Sequence, residues 1–171
     1  MLEVGRSKFS LDFIASIAAI MPFPIRLATP DDVELIVHWN VLLAAESEGK
    51  TLSPQVLMPG VRKILADQRK GRYFIAMDAA RPIGQTMVTY EWSDWRDGWI
   101  WWIQSVYVER DYRRRGVYRA LHNHIAQVAK QSGEVVGLRH YVEENNTVAR
   151  EVYQSCGLRP AGYLVYEHMF D

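Results

Sequence analysis

The sequence predicts one mixed α/β domain, with a single sheet flanked by helices. Three observations lead to this prediction. The chain has 171 residues, which suits one domain with its own core and would crowd two. Apolar residues make up 49% of it, which excludes an intrinsically disordered chain. Strand and helix patterns follow one another in the order β-α-α-β-β-β-α-β-α-β.

The first part of this domain predicts a short strand and two helices. Residues 25–28 form the strand, and Pro30 after it suits a first helical turn. Apolar residues then recur at helical spacing until Gly49. A second helical pattern runs over about 53–68, where Pro59-Gly60 predicts a kink or a break.

The middle of the chain predicts three strands. Runs rich in strand-forming residues over 73–77 and 83–92 are separated by a turn, which is typical of a hairpin. A polar loop then leads to a strand over 99–108. Trp101 and Trp102 in that strand must point to opposite faces. Because no polar alternation surrounds them, we expect a central strand that is covered on both sides.

The last part predicts two further strand and helix pairs, in alternation. Helical spacing extends over 115–131 and 146–155, and each pattern ends at a Gly. Strand patterns cover 135–142 and 163–170. With the earlier strands this gives six strand segments in one mixed sheet.

Residues 1–22 are predicted to be an extension outside the domain, which we place at 23–171. Arg6 and Lys8 precede a short apolar run that is too short to span a bilayer. The extension is either an extra amphipathic helix or the result of a start codon assigned too early, with Met21 as the alternative initiator. We expect a cytoplasmic protein that does not act at a membrane.

Charge and cysteine content narrow the classes of function. Lys plus Arg and Asp plus Glu both number 20, so the formal net charge is zero, which argues against non-specific nucleic-acid binding. Cys156 is the only cysteine, which excludes an intrachain disulfide and a multi-cysteine metal site. We therefore expect no nucleic-acid partner and no metal.

The segment VYVERDYRRRGVYRALHNHI carries the strongest chemical pattern. A strand leads into three arginines and Gly116, and an amphipathic helix follows at once. A helix N-terminus presents unpaired N–H groups, and Gly lets an anion approach the backbone closely. This combination suits a pyrophosphate, although a solvated basic helix start explains the segment equally well. It matches neither the nucleoside-triphosphate nor the dinucleotide glycine motif.

A second pattern lies in VEENNTVAREVYQSCGL. Asn146, Ala149 and Tyr153 are spaced by three and four residues and so share one helical face. Gly157 follows as a helix stop.

Taken together, the two patterns resemble the GNAT superfamily of acetyl-CoA-dependent N-acetyltransferases. Arg113-x-x-Gly116-Val117-Tyr118 matches the family's pyrophosphate turn, Arg/Gln-x-x-Gly-x-Gly/Ala, at all but the last position. Asn146-x-x-Ala149-x-x-x-Tyr153-x-x-x-Gly157-Leu158 matches its second motif. The resemblance covers about Ile25 to Phe170. Tyr118 departs from it, and either moves the helix away from the cofactor or packs its ring on the pantetheine arm.

The resemblance implies a GNAT fold, with a mixed, mostly antiparallel central sheet of six to seven strands flanked by helices. In this fold two splayed strands form a cleft for acetyl-CoA. The backbone of Val106 and Val108 would bind the pantetheine amides, and an N–H there would polarise the thioester carbonyl. The amides of the basic turn would hold the pyrophosphate, and Asn146 would bind the cofactor or fix the local backbone. The expected cofactor-binding residues are Val106, Tyr107, Val108, Arg113, Arg114, Arg115, Gly116, Val117, Tyr118, Asn146 and Tyr153.

The resemblance also implies direct attack of a primary amine on the thioester. Tyr153 would be the general acid for the leaving thiolate, since a tyrosine is protonated at neutral pH. Many relatives carry a carboxylate base where this chain has Gln104-Ser105. Gln104 cannot act as a base but can orient the amine or a water. Glu91 is the candidate replacement, and Glu143 and Glu46 are weaker candidates.

The acceptor is expected to be a small-molecule amine, either a polyamine or amino-acid-like. The layout around this strand is similar to that of the diamine and thialysine acetyltransferase branch, without that branch's acidic pair. Glu46 and the loop-side residues Trp92, Trp95 and Trp99 are the candidate acceptor-binding residues. Two alternatives remain open: a protein or peptide N-acetyltransferase, and a non-catalytic acyl-CoA-binding module. A homodimer is expected from the family alone.

Overall fold

A computed structural model of the chain describes residues 23–170. The predicted extension, residues 1–22, lies outside this range. Two short 3₁₀ turns, Pro30–Asp32 and Arg110–Tyr112, precede the first and third helices. The helices and strands are, in chain order, β1 (Ile25–Leu27), α1 (Val33–Glu48), α2 (Pro54–Ala66), β2 (Arg72–Asp78), β3 (Arg81–Ser93), β4 (Gly98–Val108), α3 (Val117–Gln131), β5 (Val135–His140) and α4 (Thr147–Ser155).

The described strands form one mixed sheet of five, in the order β1-β2-β3-β4-β5. Strands β1 to β4 pair antiparallel, and β5 adds to β4 in parallel. The prediction of six to seven strands is therefore wrong for residues 23–170. The strand expected over 163–170 does not form. These residues pair with no described strand and are exposed throughout. A local pattern gives strand propensity but does not supply a partner strand.

The kink or break expected at Pro59-Gly60 does not interrupt α2, which is continuous from Pro54 to Ala66. Pro59 is the sixth residue of this helix, so its missing N–H removes only the bond to the carbonyl of Gln55. The first turn of α2 is already formed before Pro59, because the N–H groups of Val56 and Leu57 both donate to the Ser53 carbonyl.

Helices cover both faces of the sheet. On one face α3 packs its apolar side on Trp101 and Ile103 of β4, and this forms the largest core cluster. On the other face α1 and α2 pack on β2 and β3, with Ile36 and Val61 fully or nearly fully buried. The prediction that Trp101 and Trp102 point to opposite faces agrees with this, because Trp101 is in the α3-side core and Trp102 is not.

A β-bulge at Ser105 reverses the two faces of β4. Ser105 has φ of +50°, and the β3–β4 register shifts between Gln85 and Met87. Before the bulge Trp101 and Ile103 face α3, whereas after it Val106 and Val108 pack on that side. Tyr107 consequently turns to α1 and packs on Trp39. One extra residue is enough for this reversal, because strand side chains alternate with a period of two.

None of the helices described between residues 23 and 170 combines the length and the apolar character needed to cross a bilayer.

Candidate active site

A cleft opens where β4 and β5 part. Their parallel pairing runs from Trp99 to Ile103 on β4 and ends where Ile103 meets His140, the last residue of β5. Strand β4 continues for five more residues, to Val108, without a partner on that side. Apart from the Val108 carbonyl, which accepts a bond from Arg113, the backbone groups of Val106 and Val108 are available to an extended ligand in the manner of an added strand. Val106, Tyr107 and Val108, which were predicted to bind the pantetheine arm, lie in this unpaired part.

The basic turn lies at the far end of β4 and leads into α3. Gly116 is the N-cap of this helix, with φ of +84°, a conformation that residues with a side chain rarely adopt. A Cβ on Gly116 would have nothing within 4 Å, so the space beside it is open. The first bond of the helix runs from the Ala120 N–H to the Gly116 carbonyl, and the amides of residues 114–119 donate to no backbone carbonyl in the described part of the chain. These amides are therefore free to bind an anion.

Arg113 is held in place by two oxygen acceptors. Its Nε donates to the Val108 carbonyl at 2.9 Å, and its Nη2 contacts Glu46 Oε2 at 2.7 Å. Arg110 donates to the other oxygen of Glu46 at 3.0 Å. Desolvation acts to raise the pKa of Glu46, but the bonds from Arg113 and Arg110 hold this pKa below its ordinary value. Glu46, predicted to bind the acceptor, is thus bound to the basic turn.

Tyr153 lies at the point where the two strands part. Its ring stacks on His140 with centroids 3.9 Å apart and an interplanar angle of 22°. Burial raises the pKa of Tyr153 to about 12, so its hydroxyl is protonated at neutral pH. Burial also lowers the pKa of His140 to about 4, which keeps this imidazole neutral. The sequence assigned His140 no role at the site. The one signal that could have identified it is its position at the end of β5, beside the cleft.

Tyr118 packs inward, against this same stack. Its ring centroid lies 5.1 Å from that of Tyr153 and 6.1 Å from that of His140, and its side chain is buried. Burial, and after it the neighbouring Tyr153, raise the pKa of Tyr118. Tyr118, the residue that departs from the family's turn, therefore packs against the ring of Tyr153. The three buried polar atoms of this cluster without a hydrogen-bond partner are Tyr118 Oη, His122 Nδ1 and His140 Nε2.

Asn146 is the N-cap of α4, the helix that carries Tyr153. Its Oδ1 accepts a bond from the Ala149 N–H at 3.0 Å. Asn146 therefore fixes the local backbone, and its contact with the cofactor stays a prediction. Glu143, a weaker candidate base, accepts bonds from the backbone and side chain of Asn145 just before this helix.

A row of polar side chains, called the polar row below, crosses the sheet on the face opposite α3. It consists of Glu91, Arg139, Gln104 and Thr89. Glu91 of β3 accepts bonds from Trp102 Nε1 at 2.6 Å and from Arg139 Nη1 at 2.8 Å. Tyr141 stacks on Trp102, with centroids 4.3 Å apart. Gln104, two residues along β4, donates to Thr89 Oγ1 at 2.6 Å. Glu91 is therefore ion-paired and hydrogen-bonded, and its role as the base stays a prediction.

The three loop-side tryptophans lie elsewhere. Trp92 pairs with Trp99 in the β3–β4 register, and their rings meet edge to face at 5.2 Å. Trp99 packs on the α3-side core, so this pair lies on the other face of the sheet from Trp102. Trp95 is 83% exposed in the hairpin loop. The structure does not bring these three residues to Gln104, and their role in acceptor binding stays a prediction.

Comparison with known families decides the class of this protein. Residues 39–158 match the model of the acetyltransferase (GNAT) family. The chain belongs to this family. Because a model of acetyltransferases matches most of the chain, and structural neighbours carry the same description, the protein is an acyltransferase.

Solved structures support the same assignment for this acetyltransferase. It is 42% identical to a possible acetyltransferase from Clostridium difficile 630, with a TM-score of 0.81 over 87% of this chain and 98% of that one. A predicted acetyltransferase with acetyl-CoA from Clostridium acetobutylicum is 16% identical, with a TM-score of 0.70 over 85% and 96%. A transcriptional regulator from Bacillus halodurans C-125 is 19% identical, with a TM-score of 0.72 over 86% and 99%. The last two show the fold alone.

No curated protein matches the sequence of this acetyltransferase. The family uses acetyl-CoA, and the residues present fit that molecule: an unpaired stretch of β4 for an extended arm, and open amides with arginines for a pyrophosphate. Within residues 23–170, no three His, Cys, Asp or Glu side chains come together in a group suited to a metal ion.

Proposed function

We propose that the protein transfers an acetyl group from acetyl-CoA to the primary amine of a small, amino-acid-like molecule. One observation carries the proposal. Tyr153 is stacked on His140, which is the last paired residue of β5, so a protonated phenol is held at the point where the cleft opens. A non-catalytic acyl-CoA-binding module would have no need of a proton donor there.

The chain's own groups would hold acetyl-CoA along the cleft. The backbone of Val106 and the N–H of Val108 would bind the pantetheine amides, and an N–H in this stretch would stabilise the oxyanion of the attacked thioester. The open amides from Arg114 to Tyr118 would bind the pyrophosphate at the N-terminus of α3, with Arg113 adding charge. This arrangement directs the thioester towards Tyr153.

The chemistry requires one proton to move from nitrogen to sulphur. The amine nitrogen attacks the thioester carbonyl, the new C–N bond forms and the C–S bond breaks. The hydroxyl of Tyr153 donates to the departing sulphur, and the proton lost by the amine restores the balance. The pKa of Tyr153 lies above that of a free thiol, near 8.5, so the hydroxyl reaches this step protonated. Gln104 would orient the amine, and no single carboxylate acts as the base.

The polar row argues for an amino-acid-like acceptor over a polyamine. A polyamine site needs uncompensated carboxylates, but Glu91 is neutralised by Arg139 and Glu46 by two arginines. Arg139 lies with its guanidinium 5.3 Å from the Trp102 ring centroid and is only partly buried. A guanidinium is suited to binding a carboxylate beside the acceptor amine. Kinship with the diamine and thialysine branch would therefore be one of layout and not of substrate charge.

The test is a screen of amines with acetyl-CoA, read as release of free thiol. Amino acids and short amino-acid derivatives should support turnover, and spermidine and other polyamines should support much less. Arg139→Gln should raise the acceptor KM for carboxylate-bearing amines without a matching rise for their amides. Equal turnover on polyamines would contradict the acceptor proposal, and acetyl-CoA binding without turnover on any amine would favour the non-catalytic alternative.

A further inference from the structure

Four side chains form a ring of hydrogen bonds around the bulge of β4, which we call the bulge ring. It consists of Ser105 of β4, Gln85 of β3, Asn40 of α1 and Tyr73 of β2. Gln85 Nε2 donates to Asn40 Oδ1 at 2.8 Å and, more weakly, to the Ser105 carbonyl at 3.4 Å. Asn40 Nδ2 donates to Tyr73 Oη at 3.1 Å. Burial raises the pKa of Tyr73, and hydrogen bonds with Asn40 and with the side chain of Ser105 partly offset this rise, so Tyr73 leads back to Ser105.

The bulge ring is buried and yet not fully satisfied. Gln85, Tyr73 and Asn40 are 0%, 2% and 8% exposed. Gln85 Oε1 has no hydrogen-bond partner in the described part of the chain, and an unpaired buried acceptor lowers stability. An apolar side chain at this position would avoid that cost. The contribution of the Gln85 amide therefore lies in the two groups that its Nε2 holds.

Ser105 is the residue of the ring whose backbone needs support. Its φ of +50° lies in the left-handed region, which is unfavourable for a residue with a Cβ and persists only where the surroundings enforce it. The peptide group before Ser105 is held as well, because Thr86 Oγ1 donates to the Gln104 carbonyl at 3.1 Å. Two adjacent side chains of β3, Gln85 and Thr86, thus hold the peptide groups on either side of Ser105.

The second of these peptide groups contains the N–H of Val106. All described peptide bonds are trans, so this N–H points away from the Ser105 carbonyl. Gln85 holds the carbonyl on the side of β3, which directs the N–H away from β3. Val106 has no partner in the β3–β4 register, and β5 has already ended at this level of β4. The N–H of Val106 is therefore directed into the cleft.

We infer that the bulge ring aims the Val106 N–H at the thioester carbonyl, which makes Gln85, Asn40 and Tyr73 positioning residues for acetyl transfer. This inference rests on the proposed function, which assigns the oxyanion to an N–H of this stretch. The three residues act through the Ser105 peptide and not by contact with the substrates. Negative charge on the carbonyl oxygen grows in the transition state, so this N–H stabilises the transition state more than bound acetyl-CoA. Loss of the ring should lower kcat and change acetyl-CoA binding little.

Gln85→Met tests the role of the ring against a matched core variant. It removes both bonds from Nε2, and because it also removes the unpaired Oε1 it adds no net unpaired acceptor to the core. We expect kcat to fall roughly 10- to 100-fold, with a change of less than about threefold in the dissociation constant of acetyl-CoA. Ile125→Val shortens a fully buried side chain on the other face of the sheet. It should lower the urea midpoint and leave kcat unchanged. An unchanged kcat in Gln85→Met, or an equal loss in Ile125→Val, would overturn the inference.

Two further variants separate positioning from support of the fold. Glycine adopts φ of +50° without strain, so Ser105→Gly in the Gln85→Met background should recover part of the lost kcat. Tyr73→Phe breaks the ring at its other side and should also lower kcat. Its effect combined with Gln85→Met should be smaller than the product of the two single effects, because both disrupt one unit. If Ser105→Gly raises the urea midpoint without recovering kcat, Gln85 supports the fold only and the inference is wrong.

Infrared spectroscopy of bound acetyl-CoA measures the aim of the N–H without an acceptor amine. With a carbon-13 label in the thioester carbonyl, the stretching frequency should be lower in the complex with the unaltered protein than in free acetyl-CoA. In Gln85→Met it should return towards the free value. An equal frequency in the two complexes would overturn the role of the ring, even if both proteins acetylate amines. A shifted frequency in a protein that acetylates no amine would contradict the proposed function and leave the ring's role intact.

Discussion

His140 and Tyr153 stack with ring centroids 3.9 Å apart, although they belong to a strand and to a helix that has no buried residue. This stack is the contact that joins the phenol to the sheet. His140 is also the last residue of β5 to pair with β4. The proposed proton donor is therefore placed by the same residue that ends the strand pairing, which couples its position to the mouth of the cleft.

Replacing Tyr153 by Phe should lower turnover by roughly 100-fold or more, the usual contribution of a positioned proton donor. The phenyl ring keeps the stack on His140, so the dissociation constant for acetyl-CoA should change less than about twofold. Stopped-flow thiol release and calorimetric titration of acetyl-CoA measure the two quantities. Since the pKa of Tyr153 is about 12, the unaltered enzyme should show no loss of turnover from this group up to pH 10. Unchanged turnover in the variant would remove Tyr153 from the mechanism.

His140 should make the fold less stable in mild acid. Its pKa is about 4 in the folded protein and about 6.5 when unfolded, because burial disfavours the imidazolium. Above pH 6.5 the His140 imidazole is neutral in both the folded and the unfolded protein, so it does not change the free energy of unfolding. Below pH 6.5 the unfolded chain binds a proton at His140 that the folded chain does not bind, so the free energy of unfolding falls until about pH 4. Between pH 7.5 and 5 the expected loss from His140 is about 2 kcal/mol.

Urea denaturation of two variants separates this effect from other titrations. His140→Phe keeps a stacked ring and cannot titrate, so its stability should fall much less between the two pH values. His38→Gln changes an exposed histidine of α1 and should leave the pH dependence as it is in the unaltered protein. Equal pH slopes in all three proteins would mean that His140 is accessible to protons in the folded state.

Local signals were sufficient for the order of the elements up to α4 and for the two chemical motifs. The helix that carries Asn146 and Tyr153 was predicted from spacing, and Asn146 caps it. The glycine turn was predicted to start α3, and Gly116 is its N-cap. These features depend on neighbours within a few residues. Periodicity, capping and glycine conformation therefore carry the information that specifies them.

Long-range features could not be predicted in this way. The stack of His140 on Tyr153 joins β5 and α4, and no local sequence pattern encodes how these two elements pack against each other. At the bulge, Ser105 has φ of +50° although it is not a glycine, so the sequence gives no sign of the bulge. The bulge reverses which side chains of β4 face α3. The last predicted strand failed for the same reason, because propensity over 163–170 says nothing about which edge accepts it.

Asn40 should be a stabilising residue, because it ties α1 to the bulged part of the sheet. Its Nδ2 donates to Tyr73 Oη at 3.1 Å, and its Oδ1 accepts from Gln85 Nε2 at 2.8 Å. All three side chains are buried. Asn40→Ala removes both bonds and leaves two buried polar groups underpaired, so the free energy of unfolding should fall by about 1–3 kcal/mol. Urea denaturation at pH 7.5 measures it.

Ser47→Ala on the same helix is the control for Asn40. The Ser47 hydroxyl donates only to the Leu43 carbonyl of its own helix, at 2.7 Å, so its loss should cost less than about 0.5 kcal/mol. If the two variants lose equal stability, the bonds of Asn40 make no special contribution.

Glu46 should weaken acetyl-CoA binding by competing for Arg113. Its carboxylate contacts Arg113 and Arg110 at 2.7 and 3.0 Å, next to the turn proposed to hold the pyrophosphate. Glu46→Gln removes a negative charge from that site and frees Arg113. The dissociation constant for acetyl-CoA should fall by about two- to fivefold at low salt, and its salt dependence should steepen. Calorimetric titration at two ionic strengths gives both values.

Glu48→Gln distinguishes this local effect from a change in net charge. Glu48 lies on the same helix but pairs with Lys50, away from the turn, and its replacement alters the net charge by the same amount. It should leave acetyl-CoA affinity unchanged within about 1.5-fold, since exposed pairs contribute little. Weaker binding in Glu46→Gln would show that the carboxylate positions Arg113 for the phosphates and does not compete with them. A raised acceptor KM with unchanged acetyl-CoA affinity would return Glu46 to the acceptor site that the sequence predicted for it.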